Sequence, residues 1–471
     1  MIIVHKFGGT SVGTAERFAA VADIVAQRAA SEPDLRPVLV VSAMSGVTRQ
    51  LLEGAWAAAE GRDADYQEIK AGILMRHLGV IEALFSERAE RHRLSQWVEE
   101  RLHELERLYR SLAVLGELTA RGRDHVAAFG EQLSVHILAA ALRQRGVAAE
   151  AVLATDVIVT DDHFEAATPR MDLTRARLQA TVKPMLEAGV IPVVTGFIAA
   201  TEDGVTTTLG RGGSDYTAAL VGAGLDADEV WIWSDVDGIL TADPNLVPEA
   251  RALRELSYAE ASRLAYYGAD VLHPKTIRPV IEHNIPLRIM NSFNPTDPGT
   301  LIVDTPNPER LRLPAIISTR GLCLIAIGSR DDAWQLPMVA KALQALSEAG
   351  VDVLMFSQSF SEHSLNLIVR RQEQERCLRT LDAAFAASLS EGRYTLGTKQ
   401  QVATVSVVGV PGWNERGAVS HAFAALGEQG TRIIAVAQAA TELSVSFCIP
   451  EDEVGEIVRF LHRELGLESP C

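Results

Sequence analysis

The sequence has 471 residues, more than one hydrophobic core can organise, so we expect two or three domains. Its net charge of −17 argues against a nucleic-acid partner, and its four widely spaced cysteines argue against a disulfide framework or a zinc site. No apolar stretch approaches the ~20 residues that cross a bilayer, and no signal-like segment is evident, so we expect a cytoplasmic protein without a membrane partner.

The first 300 residues contain short runs rich in valine and isoleucine, typical of strands that are buried on both faces. These runs are residues 2–5, 38–41, 151–153, 190–194, 230–233 and 286–290. Helical spacing of apolar residues covers most of residues 64–145, which predicts a largely helical insertion. Further helices are predicted at residues 15–29, 257–267 and 274–283. The pattern predicts an α/β domain over residues 1–300, built on a mainly parallel sheet.

Turn residues are concentrated at 294–315, which predicts a linker. Beyond it the chain contains two weakly similar βαββα patterns, each about 65–75 residues long. We assign residues 321–392 to the first unit and residues 393–471 to the second. Residues 301–320 form the linker and could supply a strand to the second unit.

Several predicted strands end in glycines, hydroxyls and charged side chains, and open parallel sheets bind ligands at that edge. Lys6 precedes two glycines whose backbone N–H groups can approach a phosphate, while its ammonium can stabilise a phosphoryl group in transfer. Arg211 lies among three glycines and can bind a carboxylate or phosphate with two parallel hydrogen bonds. Asp235 and Asp237 suit a hydrated magnesium ion or a nucleotide. We expect Lys6, Arg211 and Asp235 to converge on one crevice.

Each motif also has a purely structural interpretation. Lys6 could lie on a tight surface turn, and residues 234–238 could form a simple acidic turn. Ser214 and Asp215 could cap a helix, and Glu131 could offset a helix dipole.

No Ser-His-Asp set or metal-binding histidine cluster is evident in the sequence. A carboxylate acceptor is already a nucleophile at neutral pH, whereas an alcohol usually needs a general base. The residues therefore favour an enzyme that transfers a phosphoryl group to a small carboxylate.

A series of motifs, in order along the chain, closely resembles the aspartokinases of the amino-acid kinase superfamily. The motifs are residues 6–12, 41–48, 129–131, 206–216, 234–239, 242–244 and 267–274. The paired C-terminal units look like the tandem ACT domains of that family. The resemblance implies an α/β/α sandwich followed by two ACT-type units, which form a homodimer or a higher homo-oligomer.

The resemblance also implies a reaction: ATP, with Mg²⁺, phosphorylates the side-chain carboxylate of L-aspartate to give 4-phospho-L-aspartate. This is the first step of the aspartate-family amino-acid pathway, and the family's ACT domains imply feedback by lysine or threonine. Two alternatives stay open, namely another amino-acid kinase acting on a glutamate-type substrate and a catalytically weak amino-acid sensor. Leu240, Asn245 and Asp270 favour the sensor, because many relatives have tyrosine, arginine and lysine there.

The family's residue roles can be carried onto matching positions of this chain. Lys6 and Asp215 would be catalytic, with Asp215 orienting Lys6. The aspartate-binding residues would be Ser42, Thr48, Glu131, Arg211 and Ser214, with Glu131 on the ammonium and Arg211 on the α-carboxylate. Besides Lys6, the ATP-binding residues would be Gly8, Gly9, Thr10, Ser234, Asp235, Asp237 and Lys275. The effector-binding residues would be Asp352, Ser357, Gln358, Ser359, Ser361 and Glu362. The alternative interpretation is that these polar residues merely close a turn between two strands.

Overall fold

The computed structural model describes residues 1–266, 272, 274–307, 313–329, 336–359, 363–409, 418–438 and 444–468. Its contacts divide the chain into two compact units. Unit 1 consists of Met1–Ile239, Arg254–Ala265 and Asp270–Arg310. Unit 2 consists of Leu240–Leu253, Tyr266–Ala269 and Leu311–Cys471. The predicted domains are continuous in sequence, whereas the contacts assign two short segments from the middle of the chain to unit 2.

The described part of the first 310 residues contains eleven strands. They are β1 (Ile2–Phe7), β2 (Arg36–Val41), β3 (Ala149–Val152), β4 (Val159–Thr160), β5 (Ile191–Thr195), β6 (Ile198–Thr201), β7 (Thr206–Thr208), β8 (Glu229–Ser234), β9 (Glu255–Ser257), β10 (Leu287–Asn291) and β11 (Thr300–Val303). The helices there are α1 (Ala15–Ser31), α2 (Val47–Ala59), α3 (Asp63–Leu84), α4 (Arg88–Leu115), α5 (Ala120–Ala127), α6 (Phe129–Gln144), α7 (Ala154–Val157), α8 (Met171–Glu187), α9 (Gly213–Leu225), α10 (Tyr258–Tyr266) and α11 (Pro274–Glu282).

Eight of these strands form one sheet in the order β3-β5-β2-β1-β8-β10-β11-β9. Its neighbours are parallel except for the antiparallel pair of β10 and β11, which confirms the predicted mainly parallel sheet. Phe7, the last residue of β1, pairs with Val41 on one side and Trp233 on the other. The carboxyl ends of β1, β2 and β8 therefore meet at one edge. The strands β4, β6 and β7 form a separate small sheet.

The sheet is central because its strands are apolar on both faces. Residues 37–41 of β2 are all buried, as expected for a parallel strand covered by helices on each side. The helix α6 is also apolar around most of its circumference, and its residues from Leu133 to Leu142 are almost all buried. The helix α4 instead buries one stripe, which includes Leu94, Val98 and Leu102.

The predicted linker region differs from the structure. The apolar strand β11 lies inside it and pairs with β10 in the large sheet. The long strand that begins at Ala315 starts within residues 301–320, the stretch that could supply a strand to the second unit. Prolines and acidic turn residues surround the short apolar run of β11, and they masked its strand pattern in the sequence.

Unit 2 is built on a six-stranded antiparallel sheet. Its strands are β12 (Ala315–Ser329), β13 (Val353–Ser359), β14 (Ser364–Arg370), β15 (Tyr394–Val408), β16 (Ala435–Gln438) and β17 (Ser444–Pro450). Its helices are α12 (Leu336–Glu348), α13 (Gln374–Ser390), α14 (Ala418–Glu428) and α15 (Val454–Glu464). The strand order is β13-β14-β12-β15-β17-β16, so β13 and β16 are edge strands and the long strands β12 and β15 are central.

Two modules share the long central strands. In the first module, Cys323, Ile325 and Ile327 of β12 pack in one core with residues of α12 and α13. In the second module, Ile316 of β12 and residues of β15 pack in another core with residues of α14 and α15. Each module has the predicted βαββα pattern.

The described helices and cysteines bear on two further expectations. Among the described residues, no helix combines the length and apolarity needed to cross a bilayer. Cys323, Cys377 and Cys448 are buried free thiols, which pack as small apolar side chains. Cys471 lies outside the described residues.

Candidate active site

A cleft of about 400 Å³ opens at the carboxyl edge of the large sheet, where β1 and β2 end. Eight of the predicted site residues line it, namely Lys6, Gly9, Ser42, Thr48, Glu131, Arg211, Ser214 and Asp215. They come from the ends of β1 and β2, the first turns of α2, α6 and α9, and the loop before α9. The cleft thus brings together two cationic and two anionic side chains from distant parts of the sequence.

Lys6 and Asp215 form an ion pair in this cleft. The Lys6 Nζ lies 2.5 Å from the Asp215 Oδ1, and the two side chains are only 12% and 16% exposed. Asp215 lies in the first turn of α9, where the helix dipole favours a negative charge. The lysine is therefore held by an acid that is itself fixed to the start of a helix.

The predicted capping role of Ser214 and Asp215 is not what the structure shows. The residue before the first turn of α9 is Gly212, which has no side chain to cap the helix. The Ser42 hydroxyl donates a hydrogen bond to the Ser214 hydroxyl, with the two oxygens 2.8 Å apart. Ser214 therefore contacts Ser42 at the end of β2, and Asp215 contacts Lys6 near the end of β1.

Gly9 allows two loops of the site to meet backbone to backbone. A Cβ at Gly9 would lie 2.9 Å from the carbonyl oxygen of Ala43, closer than a side chain tolerates. The Ser45 N–H donates a hydrogen bond to the Gly9 carbonyl, at 3.2 Å. The loops that follow β1 and β2 are therefore packed directly against each other.

Glu131 is the buried acid of the site. It is 3% exposed, and the Ala43 N–H donates a hydrogen bond to its Oε1 at 3.2 Å. Among the described residues its buried Oε2 has no hydrogen-bond partner. Burial raises the pKa of the Glu131 carboxyl to about 8. The side chain is thus suited to a cationic ligand, which would complete its hydrogen bonding and restore its charge.

Arg211 is exposed on the loop between β7 and α9. Gly210 has a φ of +78°, and a Cβ there would lie 3.0 Å from the carbonyl oxygen of Glu165. A glycine is therefore needed to bring this loop close to the segment containing Glu165. The tight turn places Arg211 among the residues that line the cleft.

The acidic motif lies at the same edge of the sheet but outside the cleft. Asp235 is exposed and is not among the lining residues, so the expected convergence holds for Lys6 and Arg211 only. The reason is strand order, because β8 lies on the opposite side of β1 from β2. Asp237 accepts hydrogen bonds from the side-chain amides of Asn291, at 2.8 Å, and Asn294, at 3.1 Å. Ser234 donates to Asp235 at 3.2 Å.

The other predicted nucleotide residues lie around this edge. A Cβ at Gly8 would be 3.4 Å from the Lys6 Nζ, so Gly8 borders the lysine. Thr10 is exposed in a short helical turn that follows β1. Lys275 is exposed in the first turn of α11 and does not line the cleft. Of the departures from the family pattern, Asn245 is exposed and donates to Asp243, while Asp270 lies outside the described residues.

The predicted effector residues are partly described. Asp352 is exposed just before β13, and Ser357 lies on that edge strand. Gln358 is also on β13, and its buried Nε2 has no hydrogen-bond partner within the described part of the chain. The Ser359 side chain, Ser361 and Glu362 lie outside the described residues.

Sequence reasoning assigned no role to eight residues of the cleft, seven of which lie in the motifs at residues 41–48 and 206–216. Its lining also includes Ala43, Met44, Ser45, Gly46, Phe197, Gly210, Gly212 and Gly213. Phe197 has a φ of +66°, unusual for a bulky residue. The signal was its position directly after a predicted strand end, Thr195 and Gly196, to which no role was assigned.

Comparisons with known proteins identify the family of the chain. The model of the amino acid kinase family matches residues 1–291, and an ACT domain model matches residues 337–385 and 405–465. Aspartokinase 1, chloroplastic, of Arabidopsis thaliana is 33% identical over 98% of this chain and 79% of its own length. Aspartokinase 3, chloroplastic, of the same plant is 34% identical over 99% and 82%.

Solved structures give the same result. Escherichia coli aspartokinase III in complex with aspartate and ADP, in the R-state, superposes with a TM-score of 0.81 and 28% identity. The alignment covers 99% of this chain and 100% of that one. The same enzyme in complex with lysine and aspartate, in the T-state, gives a TM-score of 0.78 at 28% identity, over 98% and 99% of the two chains. The chain therefore belongs to the aspartokinases of the amino acid kinase family and is an aspartate kinase with C-terminal ACT domains.

Proposed function

We propose that the cleft binds L-aspartate and that its side-chain carboxylate takes the γ-phosphoryl group of ATP there, giving 4-phospho-L-aspartate and ADP. This reaction is the first step of the aspartate-family amino-acid pathway. The feature that carries the proposal is the buried Glu131 carboxyl, which lines the same cleft as Arg211 and Lys6 and whose Oε2 has no hydrogen-bond partner among the described residues. An amino acid needs one anionic and one cationic group to be fixed at its α-carbon, and the cleft offers both.

Glu131 and Arg211 fix the two charges of the amino acid. Glu131 takes the ammonium, which supplies the missing partner of its Oε2. Arg211 binds the α-carboxylate through two parallel hydrogen bonds. The hydroxyls of Ser42, Thr48 and Ser214 complete the pocket. The aspartate and ADP bound to Escherichia coli aspartokinase III support this choice of ligands.

Lys6 acts on the phosphoryl group. An oxygen of the aspartate side chain attacks the γ-phosphorus, the bond from phosphorus to the ADP oxygen breaks, and ADP leaves with that electron pair. Lys6 stabilises the negative charge on the transferring group, and its ion pair with Asp215 keeps the ammonium in place. The attacking carboxylate is already ionised at neutral pH, so no general base is required.

The nucleotide lies along the ends of β1 and β8. Gly8, Gly9 and Thr10 offer backbone N–H groups to its phosphates, and the acidic motif with Ser234, Asp235 and Asp237, together with Lys275, lies at its outer side. Asp235 fits Mg²⁺ because it is exposed, and this ion prefers one or two carboxylates together with phosphates and waters. The ion would be held mainly by the phosphates of ATP; the described residues contain no cluster of three or more metal-binding side chains. When bound, Mg²⁺ neutralises charge on the phosphates.

Regulation is assigned to the first ACT module. Asp352, Ser357 and Gln358 on or beside β13, together with Ser359, Ser361 and Glu362, bind lysine or threonine. The lysine complex of Escherichia coli aspartokinase III, in its T-state, supports this assignment. The effector acts because it binds one arrangement of the modules better than another. An edge strand such as β13 also suits pairing between copies, so the enzyme is a homodimer or a larger homo-oligomer.

The cytoplasm is the compartment we assign. Three buried free thiols suit a reducing environment. The Arabidopsis thaliana relatives are chloroplastic, so fractionation of the source cells is the deciding measurement.

A hydroxylamine trap for acyl phosphates tests the reaction. The purified chain is incubated with ATP, Mg²⁺ and aspartate, glutamate or N-acetylglutamate, with and without lysine and threonine. Of the three substrates, we expect only aspartate to give hydroxamate, and we expect less hydroxamate when lysine or threonine is present. Hydroxamate from a glutamate-type substrate would reassign the enzyme, and none from any substrate would favour an amino-acid sensor.

A further inference from the structure

Asp124 is a buried carboxylate that connects three segments of unit 1. It lies in α5 and is 2% exposed. Its Oδ1 accepts hydrogen bonds from the Thr208 hydroxyl, at 2.8 Å, and the Glu165 N–H, at 3.1 Å. Its Oδ2 accepts from the N–H groups of Thr208 and Glu165, both at 2.9 Å. Each carboxylate oxygen of Asp124 therefore accepts hydrogen bonds from both Thr208 and Glu165.

These two partners flank the loop that carries Arg211. Thr208 is the last residue of β7, three positions before Arg211. Its carbonyl accepts a hydrogen bond from the Ala167 N–H at 2.9 Å, so β7 and the segment around Glu165 are also joined directly. Gly210 then passes within 3.0 Å of the Glu165 carbonyl oxygen, measured from the position of its missing Cβ. Asp124 thus holds both sides of the turn from which Arg211 projects.

A carboxylate is the chemical group that this position requires. Asparagine offers one acceptor oxygen, and its amide would point hydrogens at an N–H or O–H donor. Within the described part of the chain Asp124 forms no salt bridge, and burial raises the pKa of its carboxyl. A buried acid without a cation is costly and is tolerated when its hydrogen bonds are complete.

We propose that Asp124 is a positioning residue for aspartate binding: it fixes the loop of Arg211 without lining the cleft itself. The inference rests on the proposed role of Arg211 as the ligand of the α-carboxylate. Asp124 acts through Thr208 and Glu165, so its loss loosens the loop and misplaces the guanidinium. A small displacement of such a group is enough to weaken binding many-fold.

The test compares steady-state constants of the purified 471-residue chain and its variants. Asp124→Asn is expected to raise the aspartate KM roughly tenfold or more, with kcat and the ATP KM changed less than about threefold. Thr208→Val, which removes the hydroxyl, is expected to raise the aspartate KM in part, while Thr208→Ser, which keeps it, retains the parent value.

Glu260→Gln is the matched control. Glu260 is also 2% exposed and accepts hydrogen bonds from the N–H and hydroxyl of Ser257, both at 2.8 Å, but it does not line the cleft and Ser257 is only three residues away in the sequence. The aspartate KM of Glu260→Gln is expected to equal the parent value. An equal rise in Glu260→Gln and Asp124→Asn would overturn the inference, because loss of any buried acid would then explain it.

A double-mutant cycle with Arg211→Ala separates this inference from the proposed function. If Asp124 acts through Arg211, the aspartate KM of the double variant equals that of Arg211→Ala alone. Independent, additive effects would overturn the positioning role. An unchanged KM in Arg211→Ala would overturn the role of Arg211 and this inference with it. A raised KM in Arg211→Ala with none in folded Asp124→Asn would overturn the Asp124 inference alone. If Asp124→Asn does not fold, equal KM values in Thr208→Val and Thr208→Ser overturn it.

Discussion

The ammonium of Lys6 and the carboxylate of Asp215 form an ion pair in the cleft, with 2.5 Å between Nζ and Oδ1. One residue lies on β1 and the other in the first turn of α9. The ion pair holds the lysine ammonium in one direction, so little reorganisation is needed when a phosphoryl group binds beside it. Charges fixed in this way account for much of enzymatic catalysis.

Removal of Lys6 should abolish this stabilisation while leaving the fold intact. We expect Lys6→Ala to lower kcat by roughly 10²–10⁴, the usual cost of one preorganised charge. Steady-state kinetics and thermal unfolding measure the two effects. The matched control is Lys70→Ala, which breaks a similarly buried ion pair with Glu106 in the helical insertion, also 2.5 Å long. Near-normal turnover in Lys6→Ala would remove this lysine from the mechanism.

Arg211 should act on binding more than on turnover. A hydrogen bond to a charged group contributes about 1.5–3 kcal/mol, so Arg211→Ala should raise the aspartate KM by roughly 10–100-fold. Arg211→Lys keeps the charge but loses the planar pair of donors, and we expect an intermediate KM. Arg170→Ala serves as control, because Arg170 forms an exposed ion pair with Glu202 away from the cleft. An aspartate KM that does not change in Arg211→Ala would reassign the residue.

The pKa of about 8 for Glu131 predicts a pH dependence of aspartate binding. Below that pH the free carboxyl is protonated and must release its proton to accept the ammonium. The aspartate KM should therefore fall about tenfold per unit as pH rises toward 8, and level off above it. Glu131→Gln should give a high KM that does not respond to pH. A flat profile in the parent enzyme would contradict the assigned role.

The raised pKa of the Glu131 carboxyl also predicts how the thermal stability of the aspartate-free enzyme depends on pH. Because its folded pKa lies above the ordinary 4.5, its contribution to stability is complete below pH about 4.5 and is lost as pH rises through 8. Glu131→Gln removes this loss, so the variant should gain Tm over the parent at alkaline pH. At acidic pH the two Tm values should converge. The reverse order in calorimetry would show that the buried acid is stabilised by a group other than substrate.

Feedback should depend on the acid before β13. We expect lysine or threonine to inhibit the parent enzyme and Asp352→Asn to raise the inhibitory concentration at least about tenfold, because a charged hydrogen bond to the effector ammonium is lost. Glu362→Ala should relieve inhibition as well. Asp382→Asn is the control, since Asp382 is an exposed acid on α13 of the same module. If neither amino acid inhibits the parent, the regulatory assignment falls before the variants are made.

The sequence revealed the site residues that lie at the ends of strands, because the order of glycines, hydroxyls and charges there is local. It could not reveal Asp124, whose partners Glu165 and Thr208 are 41 and 84 positions away and have no distinctive pattern. The separation of Asp235 from the cleft was equally hidden, since it follows from the order of strands in the sheet. Local chemistry was therefore predictable, whereas contacts decided by topology were not.

The two long strands of unit 2 have a consequence for dissection of the enzyme. Since β12 and β15 each supply backbone to both cores, neither ACT module has a complete set of strands of its own. No cut in the sequence releases one module intact, so truncation would leave the remaining half with an unpaired central edge. Unit 2 should consequently unfold in a single cooperative transition. A chimera that takes its regulatory domain from a relative has to include both ACT modules.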